Sequence, residues 1–412
     1  MLMQTMKIAI IGGGASGMVC AIEAAINAKK LNKSVEITIF EKNARLGKKL
    51  LATGNGRCNL TNLNCSLENY FGDKTLIKEV LSAFSVQDNI DFFETMGLFC
   101  KADSEGRVYP LSNQASGVLD CLIRAIERYK INVVNDCCVN NVKKHKNGFL
   151  INEKLFFNKI VIACGGKAAV KENNGYSLLE SLGHKICDTA PSLVRLVTDS
   201  KLPTQLKGIR ASVCIKLKSG ERIIAEESGE LLFSDNSLSG IVSMQLSPYV
   251  SRHFLSSRSR LTATVDFVPS LDFNSLADKL SVLYNSFKND STEILLSGFM
   301  PKKIGNCILK ENGISIHDTV GTVSFSKIKK LASSCKNFEF NITGTNSYSD
   351  AQVTIGGAQT NEFNLKTLES KKQKGLYCCG EIINIDALCG GFNLQWAWSS
   401  GRLCGKSIIQ ER

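Results

Sequence analysis

A glycine-rich turn, set between an apolar strand and a helix, constrains this chain more than any other feature. The apolar residues 8–11 predict a buried parallel strand, and Gly12, Gly14 and Gly17 follow it with the spacing G-x-G-x-x-G. Glycine at these places allows a tight turn, close approach of the backbone to a pyrophosphate, and close packing of a helix on the strand. Because a strand precedes the turn and a helix follows it, the motif predicts a dinucleotide-binding α/β unit.

The helix start and the next strand complete the predicted nucleotide site. The backbone amides of Ala15 and Ser16 open the helix and are expected to face the phosphates. The strand VEITIFEK ends in Glu41, and Lys42 beside it is assigned to the same site. A carboxylate at this place can accept hydrogen bonds from both ribose hydroxyls and repels a 2′-phosphate. The bound nucleotide is therefore predicted to be FAD or NAD rather than NADP.

Three later segments favour FAD. The apolar strand at 158–168 ends in a Gly-Gly turn at Gly165, and flavoproteins of this architecture place such a turn beside the cofactor. The segment VNDCCVNNVKK, 134–144, is expected to be a strand whose Val139 offers backbone groups to an adenine edge. Residues 375–401 predict a strand, a Gly-Glu turn, an irregular loop and a glycine-opened helix. Residues late in the sequence are thus expected to lie near the first glycine turn. Such an arrangement suits a long cofactor that has ribityl and isoalloxazine parts.

The cysteines and histidines do not have the spacing of a metal site or a disulfide framework. Of the 16 cysteines, some are adjacent in sequence, as Cys137 is to Cys138, and no C-x-x-C occurs. The four histidines are widely separated, whereas structural zinc needs close ligand pairs. The cysteines are therefore expected to stay reduced and to pack as small hydrophobic residues, with no metal bound.

The formal net charge of +12 over 412 residues raises the question of a nucleic-acid partner. The lysines form short separated clusters at 143–146, 327–330 and 371–374, none interleaved with aromatic residues in a recognition helix or a stacking strand. No nucleic acid is therefore expected, although the charge favours an anionic small molecule. No apolar run reaches membrane length without a charge, so a cytoplasmic location without membrane association is expected. The sequence indicates no oligomeric state.

Four longer motifs connect the chain to one family of flavoproteins. They are EKNARLGKKLLATGNGRCNLTN (41–62), GELLFSDNSLSG (229–240), AQVTIGGAQTNEFNLKTLESKKQKGLYCCGE (351–381) and GGFNLQWAWSSG (390–401). In content and order the chain resembles, from end to end, the flavoproteins of the bile-acid-inducible reductase type, a group that includes aminoacetone oxidase-like enzymes. The resemblance implies an α/β fold in which a Rossmann-like, glutathione-reductase-type FAD-binding domain carries an inserted β-barrel and a small helical cap.

The resemblance assigns the polar segment at 51–62 to the flavin side of FAD. Gly54 and Gly56 let the backbone lie flat against a planar ring. Asn55 and Asn59 can meet polar ring edges and ribityl hydroxyls. Cysteine in this segment is expected to pack rather than to react.

The resemblance also assigns cofactor contacts near the carboxyl end. Glu381 stands where related flavoproteins place a carboxylate for the ribityl chain, and Asp386 follows in the same loop. Asn393 and Leu394 open a helix whose amino end is expected to point at the pyrimidine side of the ring. A helix dipole there stabilises negative charge on reduced flavin.

Because residues near the carboxyl end are expected to rejoin the nucleotide-binding fold, the chain is predicted to have two domains. Residues 1–190 and 351–412 are expected to form the FAD-binding domain, and 191–350 an inserted domain on the substrate side. Within the insertion, the alternating stretches SVCIKLKSG and LTATVDFV predict antiparallel strands of a small barrel. Helical spacing predicts a helical subdomain at about 270–322.

The leading functional expectation is an NAD(P)H-dependent reductase that saturates a C=C bond conjugated to a ketone, as in a 3-oxo steroid or bile acid. Hydride from reduced flavin reaches the β-carbon, and a hydrogen-bond donor on the ketone stabilises the enolate. The sequence identifies no catalytic residue. The alternative is a flavin amine oxidase of the aminoacetone type that passes electrons to oxygen. Arg195 stands where the family commonly carries proline, so a substrate carboxylate or an internal acid is expected to pair with it.

Overall fold

The computed structural model of this chain describes residues 5–169, 175–257 and 259–410. The chain divides into two compact units, and each has its own cluster of buried apolar side chains. The first unit is Met1–Ala190 with Val353–Arg412, and the second unit is Pro191–Gln352. Within the described ranges, no helix has both the length and the apolar character needed to cross a bilayer.

Strands and helices are interspersed along the first unit, and most helices of the second unit come just before its last strand. The strands are β1 (Met6–Ile11), β2 (Val35–Phe40), β3 (Thr61–Asn62), β4 (Tyr70–Gly72), β5 (Cys100–Ala102), β6 (Arg107–Pro110), β7 (Asn132–Val134), β8 (Val142–His145), β9 (Gly148–Ile151), β10 (Leu155–Phe157), β11 (Lys159–Ile162), β12 (Ile186–Ser192), β13 (Leu196–Thr198), β14 (Arg210–Ser219), β15 (Arg222–Ser234), β16 (Ser237–Ser239), β17 (Leu261–Asp266), β18 (Phe338–Thr345), β19 (Val353–Ala358), β20 (Leu376–Cys378) and β21 (Ile385–Ala387). The α-helices are α1 (Ala15–Lys30), α2 (Lys74–Ala83), α3 (Val86–Thr95), α4 (Ala115–Arg128), α5 (Gly175–Ser181), α6 (Leu202–Gln205), α7 (Ile241–Ser256), α8 (Phe273–Ser286), α9 (Ile294–Ser297), α10 (Lys302–Glu311), α11 (Phe325–Lys336) and α12 (Phe392–Ile409).

A parallel sheet of five strands, in the order β20-β11-β1-β2-β7, forms the centre of the first unit. The last four residues of β1 are buried, as its continuous apolar run predicts for a strand covered on both faces. Helix α1 connects β1 to its parallel neighbour β2, because parallel strands need a crossover connection. The predicted Rossmann-type fold is confirmed.

The last helix of the chain packs closely along the first. An ideal Cβ on Gly401 of α12 would lie 2.4 Å from the carbonyl oxygen of Ser16 in α1. A Cβ on Gly405 would lie 2.3 Å from the carbonyl oxygen of Cys20. Such distances exclude any side chain, so the two backbones touch where the glycines stand. The carboxyl-terminal segment therefore lies against the first helix of the nucleotide-binding fold.

A closed barrel with the strand order β13-β16-β15-β14-β17-β18 forms the second unit with its helices. Burial alternates along β14, where Val213, Ile215 and Leu217 are buried and the residues between them are not. The pairing of β14 with β17 is antiparallel, with Cys214 opposite Asp266. The predicted barrel is confirmed, because strict alternation places one apolar row inside.

The helical part of the second unit continues beyond the predicted range of about 270–322. Helix α11 lies outside that range, and it buries Ile328, Leu331, Ala332 and Cys335. This spacing of three and four residues is the helical signal that the sequence interpretation overlooked.

The prediction of a continuous strand at 134–144 is wrong. Strand β7 ends at Val134 and β8 begins at Val142, and the residues between them are irregular. Asp136 has a left-handed φ of 51°, which a strand cannot contain. The side chain of Asn152 binds the backbone amides of Asn140 and Asn141 at 2.9 and 3.2 Å, replacing the ladder bonds of a strand.

Candidate cofactor site

The turn after β1 is built from close backbone contacts. Gly12 has a φ of +112°, and an ideal Cβ on it would lie 2.4 Å from the carbonyl oxygen of Ala163. A Cβ on Gly17 would lie 2.0 Å from the carbonyl oxygen of Gly12. These contacts bring the end of β1, the residue after β11 and the first turn of α1 together, as the glycine spacing predicts.

The amino end of α1 is open for an anion. Gly14 caps the helix without a side-chain hydrogen bond, and no acidic residue stands in the first turn. The amides at Ala15 and Ser16 therefore keep the partial positive charge of a helix start. An ideal Cβ on Gly14 would meet nothing within 4 Å, so space lies beside these amides. The geometry suits a phosphate group.

Glu41 lies at the end of β2 against the same turn and is 7% exposed. Its Oε2 accepts a hydrogen bond from the Gly13 amide at 2.8 Å. Its Oε1 accepts two from Asn43, one from the backbone amide at 2.8 Å and one from the side chain. A carboxylate oxygen has two lone pairs, so Oε2 retains capacity for one hydroxyl donor. Lys42, the next residue, is exposed.

The polar segment at 51–62 is an ordered loop rather than a linker. Its first part, Leu50–Gly56, is a 3₁₀ helix interrupted by left-handed residues, Gly54 with φ 56° and Asn55 with φ 55°. The amide of Cys58 closes the loop on the carbonyl oxygen of Thr53 at 3.0 Å. Asn55 and Gly56 are exposed. The loop thus presents polar groups and bare backbone at the surface.

Cys58 has the packing role expected from the sequence. Burial raises the pKa of its thiol to about 12. Few such thiols ionise near neutral pH, and the thiolate is the reactive form. All 16 cysteines of the chain are free. Within residues 5–169, 175–257 and 259–410, no group of three or more His, Cys, Asp or Glu side chains is arranged to hold a metal ion.

The polar segment is joined to the start of α12 by buried side-chain hydrogen bonds. The bonds are Asn62 Nδ2 to the Gly390 carbonyl (3.0 Å), Thr61 Oγ1 to Gln395 Oε1 (2.6 Å) and Trp398 Nε1 to the Leu60 carbonyl (2.9 Å). Segments more than 300 residues apart in sequence therefore form one wall of the first unit. Trp396 and Trp398 are both buried, as expected for core residues.

One buried acceptor at this junction lacks a partner. Asn59 Oδ1 is inaccessible to solvent and has no hydrogen bond within the described residues. It would lie 2.8 Å from an ideal Cβ on Gly391, which caps α12 with a left-handed φ of 98°. The first turn of α12 contains no acidic residue and no side-chain cap. A buried acceptor without a partner is costly, and a ligand ring edge with an N–H donor would satisfy it.

Glu381 links three further parts of the first unit. Its Oε2 accepts a hydrogen bond from Lys49 Nζ at 2.7 Å, and its Oε1 accepts one from the Thr354 amide at 2.8 Å. An ideal Cβ on Gly166 would lie 2.8 Å from Oε1, and one on Gly165 would lie 3.9 Å from Oε2. The Gly-Gly turn after β11 and the Gly-Glu turn after β20 are thus adjacent. Lys49 and Thr354 were not assigned from the sequence.

The other residues predicted to contact the cofactor differ in their burial and in the partners of their side chains. Asp386 is buried in β21, opposite Phe71 of β4. Asn393 uses its side chain within the chain, accepting from the Ala387 amide at 3.0 Å and donating to the Ala387 carbonyl at 2.8 Å. Its side chain therefore holds the loop before α12. Leu394 is half-buried, and Val139 is buried in the irregular segment after β7.

A cavity of about 630 Å³ in the first unit is not part of this site. It is lined by residues of the carboxyl end of α1, the start of β2 and the end of α4, including Lys29, Lys33 and Lys130. The glycine turn follows the carboxyl end of β1, whereas this cavity lies at the beginning of the parallel β2. Ligands of open parallel sheets bind at the carboxyl ends of the strands.

Arg195, in the second unit, has internal partners. Its Nη2 lies 2.8 Å from Oδ1 of Asp350, and its Nη1 donates to Ser234 Oγ at 3.1 Å. The side chains of Arg195 and Asp350 are 32% and 39% exposed. Arg195 therefore has an internal acid as a partner, which is one of the two partners expected from the sequence.

The chain is similar to a family model and to several known proteins. A family model described as HI0933-like protein Rossmann domain matches residues 6–407. A 3-dehydro-bile acid Δ(4,6)-reductase of Clostridium scindens is 32% identical over 411 residues, which cover 98% of this chain and 99% of the relative. A ribosomal RNA dihydrouridine synthase of Haemophilus influenzae is 27% identical over 416 residues, with 98% of each chain covered. The solved structure of a 3-ketosteroid Δ1-dehydrogenase from Sterolibacterium denitrificans matches with a TM-score of 0.48 at 12% identity, covering 98% of this chain and 100% of that one.

Proposed function

Because this chain belongs to the HI0933-like Rossmann family, we propose that it is an FAD-dependent oxidoreductase that saturates a C=C bond conjugated to a carbonyl group, with NAD(P)H as electron donor. The names of two relatives support this chemistry. A Δ(4,6)-reductase of a 3-dehydro-bile acid removes unsaturation near a ketone. A dihydrouridine synthase adds two hydrogens to the C=C bond of a uracil ring, and this bond lies beside a carbonyl group. Both are additions of hydrogen to an electron-poor carbon pair.

The described residues fit FAD. The observation that carries this assignment is the contact between the 51–62 segment and the start of α12. The amides of Ala15 and Ser16 would hold the pyrophosphate, and Glu41 would hold the adenosine ribose through Oε2. Asn59 Oδ1, buried and without a partner, would accept from an N–H of the isoalloxazine edge. A site for NAD alone would not need a second group of contacting residues so much later in the sequence.

The chain's own groups would tune and orient this cofactor. FAD supplies the hydride transfer when it is bound. The amino end of α12, without an acid in its first turn, lowers the free energy of negative charge placed beside it. The ion pair between Lys49 Nζ and Glu381 Oε2, 2.7 Å apart, joins the Gly-Glu turn to the start of the 3₁₀ helix Leu50–Gly56. The buried bond from Thr61 to Gln395 holds the polar segment at a fixed distance from the helix.

Two substrate classes follow from the relatives. The first is an anionic 3-oxo steroid of the bile-acid type, supported by the relative of 32% identity. The second is uracil within ribosomal RNA, supported by the 27% identical relative and by the net charge of +12. We place the enzyme in the cytoplasm, since 16 free cysteines suit a reducing compartment.

The test uses the purified yellow protein under anaerobic conditions. NADH or NADPH is added, and bleaching of the flavin band is followed with time. We expect rapid bleaching by one of them, and return of the oxidised colour when an acceptor follows. The acceptors are a 3-oxo-Δ4 bile acid in one sample and a uridine-containing RNA in another.

The controls separate the proposed function from its alternatives. Saturated bile acid and RNA without uridine should leave the flavin bleached. Absence of bleaching by both nicotinamides, with oxygen consumption on addition of a small amine, would overturn the reductase in favour of an amine oxidase. Protein that purifies without FAD and takes up none on titration would overturn the cofactor assignment itself.

A further inference from the structure

Two helices of the second unit share an exposed surface of aromatic rings and lysines. Tyr284 of α8 and Phe325 of α11 have ring centroids 5.5 Å apart, with their planes tilted by 52°. Lys288 Nζ lies 5.8 Å from the Tyr284 centroid, and Lys329 Nζ lies 5.7 Å from that of Phe325. We call these four residues the aromatic–lysine face.

Of the two rings of this face, Phe325 is exposed, whereas Tyr284 is half-buried and packs against the core of the second unit. Helix α8 buries Leu276 and Leu280, and α11 buries Ile328, Leu331, Ala332 and Cys335. Phe325 is nevertheless 43% exposed, and Phe287, three residues after Tyr284 at the end of α8, is 37% exposed. Grouped exposed apolar side chains with a polar rim are typical of interaction sites.

The charge that α11 contributes to the face is of one sign. Helix α11 contains four lysines and no acidic residue. Within the described parts of the chain, Lys288, Lys329 and Lys330 form no ion pair. The helix begins at Phe325 without a side-chain cap or an acid in its first turn, so its open amides lie next to the exposed ring. Exposed rings, lysines and an open helix start together favour an anionic partner that has flat groups.

We propose that the aromatic–lysine face binds a single-stranded segment of RNA. Bases would stack on Phe325 and Tyr284, and phosphates would contact Lys288, Lys329 and the amino end of α11. The inference rests on the second substrate class of the proposed function, uracil in ribosomal RNA. It also revises the expectation of no nucleic-acid partner. That expectation depended on basic clusters that lack aromatic residues, whereas α11 places Phe325 one turn before Lys329.

The lysines over the rings are compatible with stacking. Each lies more than 5 Å from its ring centroid, a distance at which a cation contact with a solvated ring is weak. Lys288 and Lys329 are exposed, so their ammonium groups can turn from the ring to a phosphate while a base covers the ring. A base stacked on the ring would therefore replace a weak lysine–ring contact with a larger stacking contact.

An anionic membrane is the competing partner, and the face suits it less well. A membrane-bound helix presents a continuous apolar side along its length. On α11 the exposed side alternates between one phenylalanine and lysines, and its apolar side is buried in the second unit. Stacking of a base on an exposed ring needs no continuous apolar side.

The test measures binding rather than reduction, so it does not depend on flavin chemistry. The full-length protein with its flavin is titrated into a fluorescein-labelled single-stranded RNA of about 15 nucleotides, and anisotropy gives Kd at several salt concentrations. The test variant is Phe325→Ala with Lys329→Gln. The matched control is Phe99→Ala with Lys101→Gln, which removes an exposed aromatic residue and a lysine from the first unit. Vesicles of phosphatidylglycerol and phosphatidylcholine serve as the competing partner.

We expect the test variant to raise Kd about tenfold and to flatten the salt dependence, with the control within about twofold of the unchanged protein. A second variant, Lys288→Gln with Lys329→Gln, keeps both rings and should mainly reduce the salt dependence. Equal Kd for test and control variants, no RNA binding at micromolar protein, or tighter binding to vesicles than to RNA would each overturn the proposal. Nicotinamide-dependent bleaching would still show the reductase in these cases, so failure of the two proposals is distinguishable.

Discussion

At the scale of single residues, Glu41 should determine how tightly FAD is held. Its Oε2 keeps one free acceptor position beside the glycine turn, while its other bonds hold Gly13 and Asn43. Glu41→Ala removes a charged hydrogen bond to ribose, so we expect the Kd for FAD to rise about tenfold to hundredfold. Titration of apo-protein with FAD, read by flavin fluorescence, gives this value.

The control for this variant is Glu36→Ala, which removes an exposed carboxylate from the same strand. Glu41→Gln keeps an oxygen acceptor for one internal amide and should lie between Glu41→Ala and the unchanged protein. A Glu41→Ala protein that purifies fully loaded with unchanged affinity would show that adenosine binds elsewhere.

His184 should make the stability of the first unit depend on pH. Its Nδ1 lies 2.8 Å from Glu362 Oε2, and its Nε2 lies 2.8 Å from Ser370 Oγ. That hydroxyl already accepts from the amides of Lys372 and Gln373, so its proton points at Nε2 and the imidazole is neutral. Burial lowers the pKa of His184, although Glu362 opposes this effect.

A lowered pKa means that the unfolded chain binds the proton more readily. Stability contributed by neutral His184 is complete above the unfolded pKa of about 6.5 and declines as the pH falls below it. Urea unfolding between about pH 7.5 and about pH 5.5 should show this decline, and His184→Gln should reduce it. The exposed His145→Gln should retain it. An unfolding free energy that is constant over this range would contradict the assignment.

The positions of residues were predictable where a backbone motif defines them. They were not predictable where contacts between distant parts of the chain define them. The glycine turn and Glu41 follow a local pattern, and the structure brings them together. The contact of Asn393 with the ligand stays a prediction, and its side-chain bonds to Ala387 were not predictable from a local pattern. Lys49 was missed because its partner Glu381 is 332 positions away in sequence.

At the scale of elements, the contact between α1 and α12 is the most sensitive to side-chain size. Gly401→Ala places a Cβ at 2.4 Å from the Ser16 carbonyl oxygen, so one helix must move. We expect a loss of about 1–3 kcal/mol in the free energy of unfolding, measured with urea. Gly298→Ala, where an added Cβ meets nothing within 4 Å, should change it by less than about 0.5 kcal/mol. Equal effects of the two substitutions would show that the helices are less closely packed.

Elements with a strong period were predictable, and those that depend on side-chain caps were not. Strand β1, helix α1 and the alternating β14 each show one clear pattern. The interval between β7 and β8 was predicted to be part of a strand, but Asn152 binds its amides from a neighbouring turn. Such a bond joins residues more than ten positions apart, which no local period reveals.

At the scale of the whole molecule, the two units have separate cores. The buried apolar residues of the first unit form one cluster, and those of the barrel and its helices form another. The strands of the parallel sheet come from the first unit, whereas the barrel strands come from the second. Each unit is large enough to bury a core of its own.

The first unit should therefore fold and bind FAD without the second. Strands β12 and β19, which precede and follow the second unit in sequence, are neighbours in one small sheet, so a short Gly-Ser linker can join residue 190 to residue 353. Because every group assigned here to FAD lies in the first unit, we expect this shortened chain to purify yellow, with a Kd for FAD within about tenfold of the full chain. The fragment 191–352 should unfold cooperatively, as a domain with its own core does, and stay colourless. Unfolding is followed by circular dichroism, and FAD by its absorbance. A colourless first unit that is folded by circular dichroism would show that residues of the barrel or its helices are needed to hold the cofactor.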